Sequence, residues 1–132
     1  AITSEILNRM RPDSRLFCFE KNSDFFSLLK EIKDDRLILI NDRAENIKMH
    51  LNSYELKSID CVISTLPLAT LPNSVVDEVL ARIKEILSPG GVYTQLQYSL
   101  FSLKKVKSHF SNVRISFTPL NYYPSFVYTS KK

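Results

Sequence analysis

The stretch EILSPGGVYTQLQYS, residues 85–99, holds Gly90 and Gly91, the only two glycines in a chain of 132 residues. It reads as a helix end, a Ser-Pro-Gly-Gly turn and the start of a strand. Gly90 is free to take the positive φ that terminates a helix, and Gly91 lets the backbone enter the strand closely. Upstream, Val76, Val79, Leu80, Ile83 and Leu87 fall on one face of that helix. Ser74 and Asp77 form a capping-box-like start, and the helix is expected to end at Ser88-Pro89-Gly90-Gly91. VYTQLQY is the strand that follows.

Working outward, three short apolar runs end in polar or acidic residues: RLFCFE (15–20), RLILIND (36–42) and IDCVISTLPL (59–68). Each suits a strand buried on both faces. Ile2, Ile6 and Met10 recur at helical spacing until Pro12-Asp13-Ser14 breaks the pattern. NSDFFSLLKEI reads as a helix with Phe25, Phe26, Leu29 and Ile32 on one side and Asn22 or Ser23 as cap. AENIKMHLNSYEL is a short helix and loop, and LFSLKKVKSHF a later helix. NVRISFT alternates strictly, with Val113, Ile115 and Phe117 facing one way. The PLNYYP loop before SFVYTS is too short for a helical crossover, so these two strands pair antiparallel. Buried runs alternating with helices and closed by a hairpin make an α/β open sheet, here a single domain over residues 1–132.

Apolar residues at 44% and charged residues at 24% are ordinary for a globular chain. No apolar run is long enough for a transmembrane helix, and there is no signal-sequence pattern. The net charge of +4 and pI near 9.1 favour anionic partners, nucleic acid or acidic lipid. Cys18 and Cys61 lie in apolar runs, which predicts two buried free thiols in a reducing, cytoplasmic setting. His50 and His109 are solitary and read as surface or structural residues, and no metal is implied.

In open parallel sheets, ligands sit outside the C-terminal ends of the strands. Glu20 ends the first run, where an acid can accept both hydroxyls of an adenosine ribose. Asn41-Asp42 end the second and can meet an adenine edge. Ser64-Thr65-Leu66-Pro67-Leu68 follow the third, beside the place of a reacting group. The plainer reading of each acid is a helix cap or a surface charge.

With these positions in view, LSPGGVYTQLQYS resembles the late L-x-P-G-G motif of class I S-adenosylmethionine-dependent methyltransferases, which joins the helix after strand four to strand five. LFCFEKNSDFFSLLKE is similar to the family's second motif, LINDRAEN to its third and DCVISTLPLATLP to its fourth. The resemblance implies a Rossmann-like sheet, mostly parallel, with a C-terminal antiparallel hairpin. It also implies S-adenosyl-L-methionine as cofactor, held by Glu20, Lys21, Asn41, Asp42, Arg43, Ala44, Ser64, Thr65 and Leu66. Pro67, Leu68 and Tyr98 fall at acceptor-binding positions. No catalytic residue is identified.

The LPL…LP run of the fourth motif is similar to phospholipid N-methyltransferases, which methylate phosphatidylethanolamine head groups. The expected reaction is therefore methyl transfer to an amine, a phospholipid head group. Related rRNA adenine dimethylases follow a comparable Leu-Pro element with an aromatic that stacks the flipped base, and Leu68 in that place leans away from a nucleic-acid acceptor. Thr65 stands where the phospholipid enzymes usually have glycine, which alters the pocket. Leu100, Phe101, Leu103, Val106 and Phe110 make one apolar face beside Lys104, Lys105 and Lys107. That helix either rests on an anionic membrane surface, making the protein peripheral to a membrane, or packs in the core with a solvated lysine face. Tyr98, Tyr122 and Tyr123 either line a cation pocket or are ordinary loop and core aromatics.

The family's first motif, a strand and a glycine-rich turn that meets the methionine part of the cofactor, has no counterpart here, since no glycine precedes Gly90. The opening AITSEILNRM is similar to the helix after that turn. The expectation is a sheet missing its first strand, leaving the strands at 15–20 and 59–64 facing a gap. That gap is filled by direct pairing, by self-association or by the rest of a longer enzyme, and this chain alone would be weak or inactive. Two other readings remain. One is a non-catalytic binding module on an incomplete sheet. The other, a receiver- or flavodoxin-like domain, is disfavoured because Asp60 lies at the start of its strand and TQLQYS carries no lysine.

Overall fold

A computed structural model describes residues 2–119 and 123–132. The chain divides into two compact units, residues 1–47 and 48–132.

The first unit contains α1 (Ile2–Arg9), β1 (Leu16–Phe19), α2 (Ser23–Leu29), β2 (Leu37–Ile40) and a 3-10 turn over Ala44–Asn46. β1 and β2 run parallel, with Leu16 opposite Leu37 and Phe19 opposite Ile40. Helix α2 starts at Asn22, whose side chain accepts from the amides of Asp24 and Phe25. That satisfies two of the donors every helix N-terminus leaves open. The far end of α1 is closed by Arg36, which donates to the carbonyls of Leu7 at 2.9 Å and Met10 at 3.0 Å. The same guanidinium is clamped by Asp34 at 2.7 Å, and this holds the Asp34 carboxyl down at about 2.

Several expectations for this unit change. The buried side of α1 is Thr3 and Leu7, four residues apart, while Ile2 is exposed. In α2, Phe26 and Leu29 are half-buried but Phe25 points to solvent. β1 is half-buried throughout, not enclosed on both faces. Its one hydrogen-bonded neighbour among the described residues is β2, so it has the open side of an edge strand.

The second unit contains α3 (Ile47–Ser53, its first residue at the boundary), β3 (Ile59–Ser64), a 3-10 turn over Leu68–Thr70 and α4 (Asn73–Ile86). β4 (Leu87–Gln97), α5 (Leu103–His109), β5 (Val113–Thr118) and β6 (Ser125–Lys131) follow. The strand order is β3-β4-β6-β5. β3 and β4 are parallel, and β6 is antiparallel to both β4 and β5. The expected hairpin is present, but its second strand turns back between β4 and β5. The core is the face of α4 carrying Val76, Val79, Leu80, Ile83 and Ile86, with Tyr93 of β4 and Val106 and Phe110 of α5. Each such side chain, fully enclosed, contributes about 1.5–3 kcal/mol. Tyr93 and Phe110 stack at a centroid distance of 5.0 Å.

The glycine pair serves a different purpose from the one expected. α4 ends at Ile86, and Leu87 is already extended. Ile59 pairs with Leu87 and Cys61 with Val92, so residues 88–91 are looped out as a bulge inside β4. Gly90 takes φ +78° within that bulge. A Cβ on Gly91 would lie 2.8 Å from the Ser88 carbonyl and 3.2 Å from that of Asp60, so close approach does require glycine there. The Glu85 carbonyl in the last turn of α4 instead accepts from the Lys132 ammonium at 3.3 Å, which also donates to the Leu87 carbonyl at 2.7 Å.

Ser74 and Asp77 do not cap α4, which starts after Pro72 with no side-chain cap. The Asp77 carboxylate turns to α5, accepting from Lys105 at 2.6 Å and pairing with His109 Nε2 at 3.0 Å. The expectation of two buried thiols also fails, because Cys61 is exposed and Cys18 half-buried. β3 pairs on one side alone among the described residues, which leaves Asp60, Cys61 and Ile63 exposed. Ile115 and Phe117 of β5 are exposed for the same edge-strand reason. In α5, Val106 and Phe110 are enclosed, so the core-packed reading of this helix holds. Leu100 and Phe101 precede the helix and face solvent.

Candidate cofactor and acceptor sites

The first cluster sits at the C-terminal ends of β1 and β2. Parallel register brings Glu20 and Asn41 side by side, and the Glu20 amide donates to the Ile40 carbonyl at 3.0 Å. The Asn41 side chain reaches back to the Glu20 carbonyl at 2.8 Å and the Lys21 carbonyl at 3.4 Å, pinning the two loops together. Glu20 Oε1 accepts from the Asn22 amide at 2.7 Å, leaving Oε2 to accept from a ligand. Asp42 Oδ1 accepts from the Arg43 amide at 2.7 Å and the Asn46 side chain at 2.9 Å, which shapes the turn carrying Ala44. Glu20, Lys21, Asn41, Asp42, Arg43 and Ala44 are therefore gathered at one end of one two-stranded sheet. A carboxylate with an open oxygen is an acceptor that fits the vicinal hydroxyls of a ribose.

The second cluster follows β3. Ser64 is buried, Thr65 and Pro67 are exposed, and Leu68 turns inward to 3% exposure. The Leu66 amide donates to Ser64 Oγ at 3.3 Å. The Leu66 carbonyl accepts from both Gln95 Nε2 at 2.9 Å and Gln97 Nε2 at 2.8 Å, so its two lone pairs are used internally. Gln95 in turn accepts from the Tyr93 hydroxyl, and burial pushes that phenol far above its ordinary range. Tyr93, Gln95 and Gln97 thus form a buried polar file along β4 that fixes the loop after β3.

Sequence reading missed this file. Its signal was present in VYTQLQY, where two glutamines alternate onto the face that also carries Tyr93. An amide on a core face needs a buried partner, and an irregular loop carbonyl is the commonest kind.

Beside this loop, Leu68, Leu71, Val76 and Phe101 line a groove of about 200 Å³, with Asn73, Ser102 and Lys105 as its polar members. The Asp77 carboxylate behind Lys105 is held below the usual range by its bonds to His109 and then Lys105. Tyr98 is 69% exposed and meets Tyr123 edge-on with ring centroids 6.0 Å apart. Tyr122 lies outside the described residues. Among the described residues no three His, Cys, Asp or Glu side chains are grouped so as to hold a metal.

No protein-family model matches the chain. An ornithine lipid N-methyltransferase of Singulisphaera acidiphila is 25% identical over 130 residues, covering 96% of this chain and 68% of that protein. A ribosomal RNA small subunit methyltransferase H of Christiangramia forsetii is 36% identical over 61 residues, covering 46% of this chain and 20% of that protein. The solved precorrin-6y C5,15-methyltransferase of Geobacter metallireducens superposes with TM-score 0.73 at 18% identity, over 99% of this chain and 75% of that one. A Streptococcus mutans protein in complex with S-adenosylhomocysteine superposes with TM-score 0.54 at 18% identity, over 89% of this chain and 72% of that one. The chain therefore has the Rossmann-like fold of the class I S-adenosylmethionine-dependent methyltransferases, and the Streptococcus mutans protein of that fold holds S-adenosylhomocysteine.

Proposed function

We propose that this chain is a methyltransferase domain that carries a methyl group from S-adenosylmethionine to the amine of a lipid head group. The single observation behind the cofactor half is the Glu20–Asn41 pairing across the ends of β1 and β2, which presents an open carboxylate oxygen where the two strand ends meet. Glu20 would accept from the ribose hydroxyls, and Asp42 and Ala44 would border the adenine. When bound, the cofactor supplies a sulfonium methyl, so that a nitrogen–carbon bond forms as the sulfur–carbon bond breaks and the electron pair returns to sulfur. Beyond that the protein positions and desolvates the partners.

The loop after β3 serves the acceptor. Its Leu66 carbonyl is occupied by Gln95 and Gln97, so an incoming amine is met by the exposed Thr65 and Pro67. The groove beside Leu68, apolar with Asn73 and Lys105 at its edge, suits a head group with an aliphatic portion. Support for a lipid acceptor comes from the ornithine lipid N-methyltransferase relative, which aligns over 96% of the chain. The shorter match, to a relative named for ribosomal RNA, makes a nucleic-acid acceptor the second reading.

Calorimetric titration of S-adenosylhomocysteine tests the cofactor half. The chain alone has no glycine before Gly90 to cradle the methionine part, so weak binding is expected. A longer form carrying a strand and glycine turn upstream should bind tightly. Glu20→Gln in that form should weaken binding about tenfold, the size of one lost charge-assisted hydrogen bond. No binding by the longer form would refute the reading and favour a non-catalytic module.

A further inference from the structure

We infer that residues 98–101, with Tyr123 and the exposed lysines of α5, Lys104 and Lys107, form a docking element for an anionic lipid bilayer, which rests on the lipid half of the function proposed above. Phe101 is 89% exposed, Tyr98 69%, Tyr123 63% and Leu100 46%, although all lie in the better-packed unit. The loop that carries Tyr98, Leu100 and Phe101 is anchored. Tyr128 donates its hydroxyl to the Ser99 carbonyl at 2.6 Å, Ser102 is buried, and the Leu103 amide closes on the Leu100 carbonyl at 3.1 Å. The side chains therefore project from a rigid base.

Charge points to the same occupant. After Glu85 the chain carries no acidic residue, while Lys104, Lys105, Lys107, Arg114, Lys131 and Lys132 all follow it. Lys104 and Lys107, three and six residues past Phe101, are exposed and form no ion pair among the described residues. Apolar Leu and Phe at the tip, tyrosines beside them and lysines behind make the pattern of a segment seated at a bilayer interface. A nucleic-acid surface makes poor use of Leu100, which can neither stack on a base nor hydrogen-bond. Phe101 also lines the groove beside Leu68, so a head group held at the bilayer surface meets the groove directly.

The test is cosedimentation of the chain with vesicles of phosphatidylcholine alone and of phosphatidylcholine mixed with phosphatidylglycerol. Binding to the mixed vesicles only is expected, weakening as salt is raised. Phe101→Ser should lower the partition coefficient roughly tenfold, and the double change Lys104→Glu, Lys107→Glu by at least as much. Phe25→Ser, at an exposed phenylalanine of the other unit, should change nothing. Both phenylalanines are solvent-facing, so neither change threatens folding.

Equal binding to both vesicle types, or full binding by Phe101→Ser, overturns the inference. So does a single-stranded RNA complex or a self-associated dimer that Phe101→Ser abolishes while vesicle binding is absent. The S-adenosylhomocysteine titration separates the two readings. Cofactor binding without vesicle binding sinks the docking element alone, and vesicle binding without cofactor binding in the longer form sinks the methyltransferase reading.

Discussion

Residues 48–132 enclose Leu51, Leu80, Tyr93, Val106, Phe110 and Tyr128 almost completely, whereas among the described residues of the first unit just Thr3, Leu7 and Ile40 are buried. The second unit is held by a conventional apolar core on a four-stranded sheet. The first, with two strands, relies on polar closures: Asn22 at the start of α2, Arg36 at the end of α1 and Asn41 across the strand ends. Two-stranded sheets with few buried side chains are marginal by themselves. The comparison teaches that the proposed ribose cluster stands on the less stable part of the molecule and the proposed acceptor loop on the more stable part. Elements that order around a ligand are commonly drawn from that low-stability end.

The sharpest way to break this comparison is Leu80→Ala. Leu80 is fully buried at the centre of α4, and the change should cost about 2–5 kcal/mol. Hydrogen exchange should show the loss in amides of residues 48–132. If the amides of residues 2–47 lose protection equally, the two units unfold as one and the contrast is wrong.

Gln95→Leu comes next. It orphans the Tyr93 hydroxyl and removes one donor from the Leu66 carbonyl, which should cost about 1–3 kcal/mol. Faster exchange confined to residues 64–68 is the expected signature. Unchanged exchange there would mean Gln97 alone fixes the loop.

The smallest effect tests the polar closures of the first unit. Asn22→Ala should cost about 1 kcal/mol, read as lost protection in α2 alone. Acid acts in the same direction through Asp34. Its carboxyl is depressed to about 2 by Arg36, so its contribution is intact above the ordinary carboxylate range and is lost as pH falls through that range toward about 2. Asp34→Asn should remove this acid step from residues 2–47. Asp77 and Glu85 are depressed as well, so the second unit also weakens in acid, but its apolar core does not depend on them.

The placement of the first candidate cluster could be read from residue order alone, because parallel strands put their C-terminal residues in predictable places. Glu20 and Asn41 follow β1 and β2 directly, and one register of pairing sets them together. A polar cap before the apolar helix was legible as Asn22 or Ser23, and the backbone geometry selects Asn22. Asp77 misled. Three positions past Ser74 it mimics a capping residue, yet Lys105 and His109 of a distant helix offer it stronger partners.

By itself, the sequence determined the α/β class, the parallel pairs, the antiparallel closing hairpin and the strand-end positions where a nucleotide cofactor would be met. These depend on local periodicity and on chain order, which short windows carry. Tertiary structure alone decided that β6 lies between β4 and β5, that Gly90 and Gly91 shape a bulge in place of ending α4, and that the apolar face of α5 is spent on the core. It also decided that Phe101 is left outside. Each of these outcomes depends on which distant residue occupies the neighbouring space, and that competition is settled only when the whole chain packs.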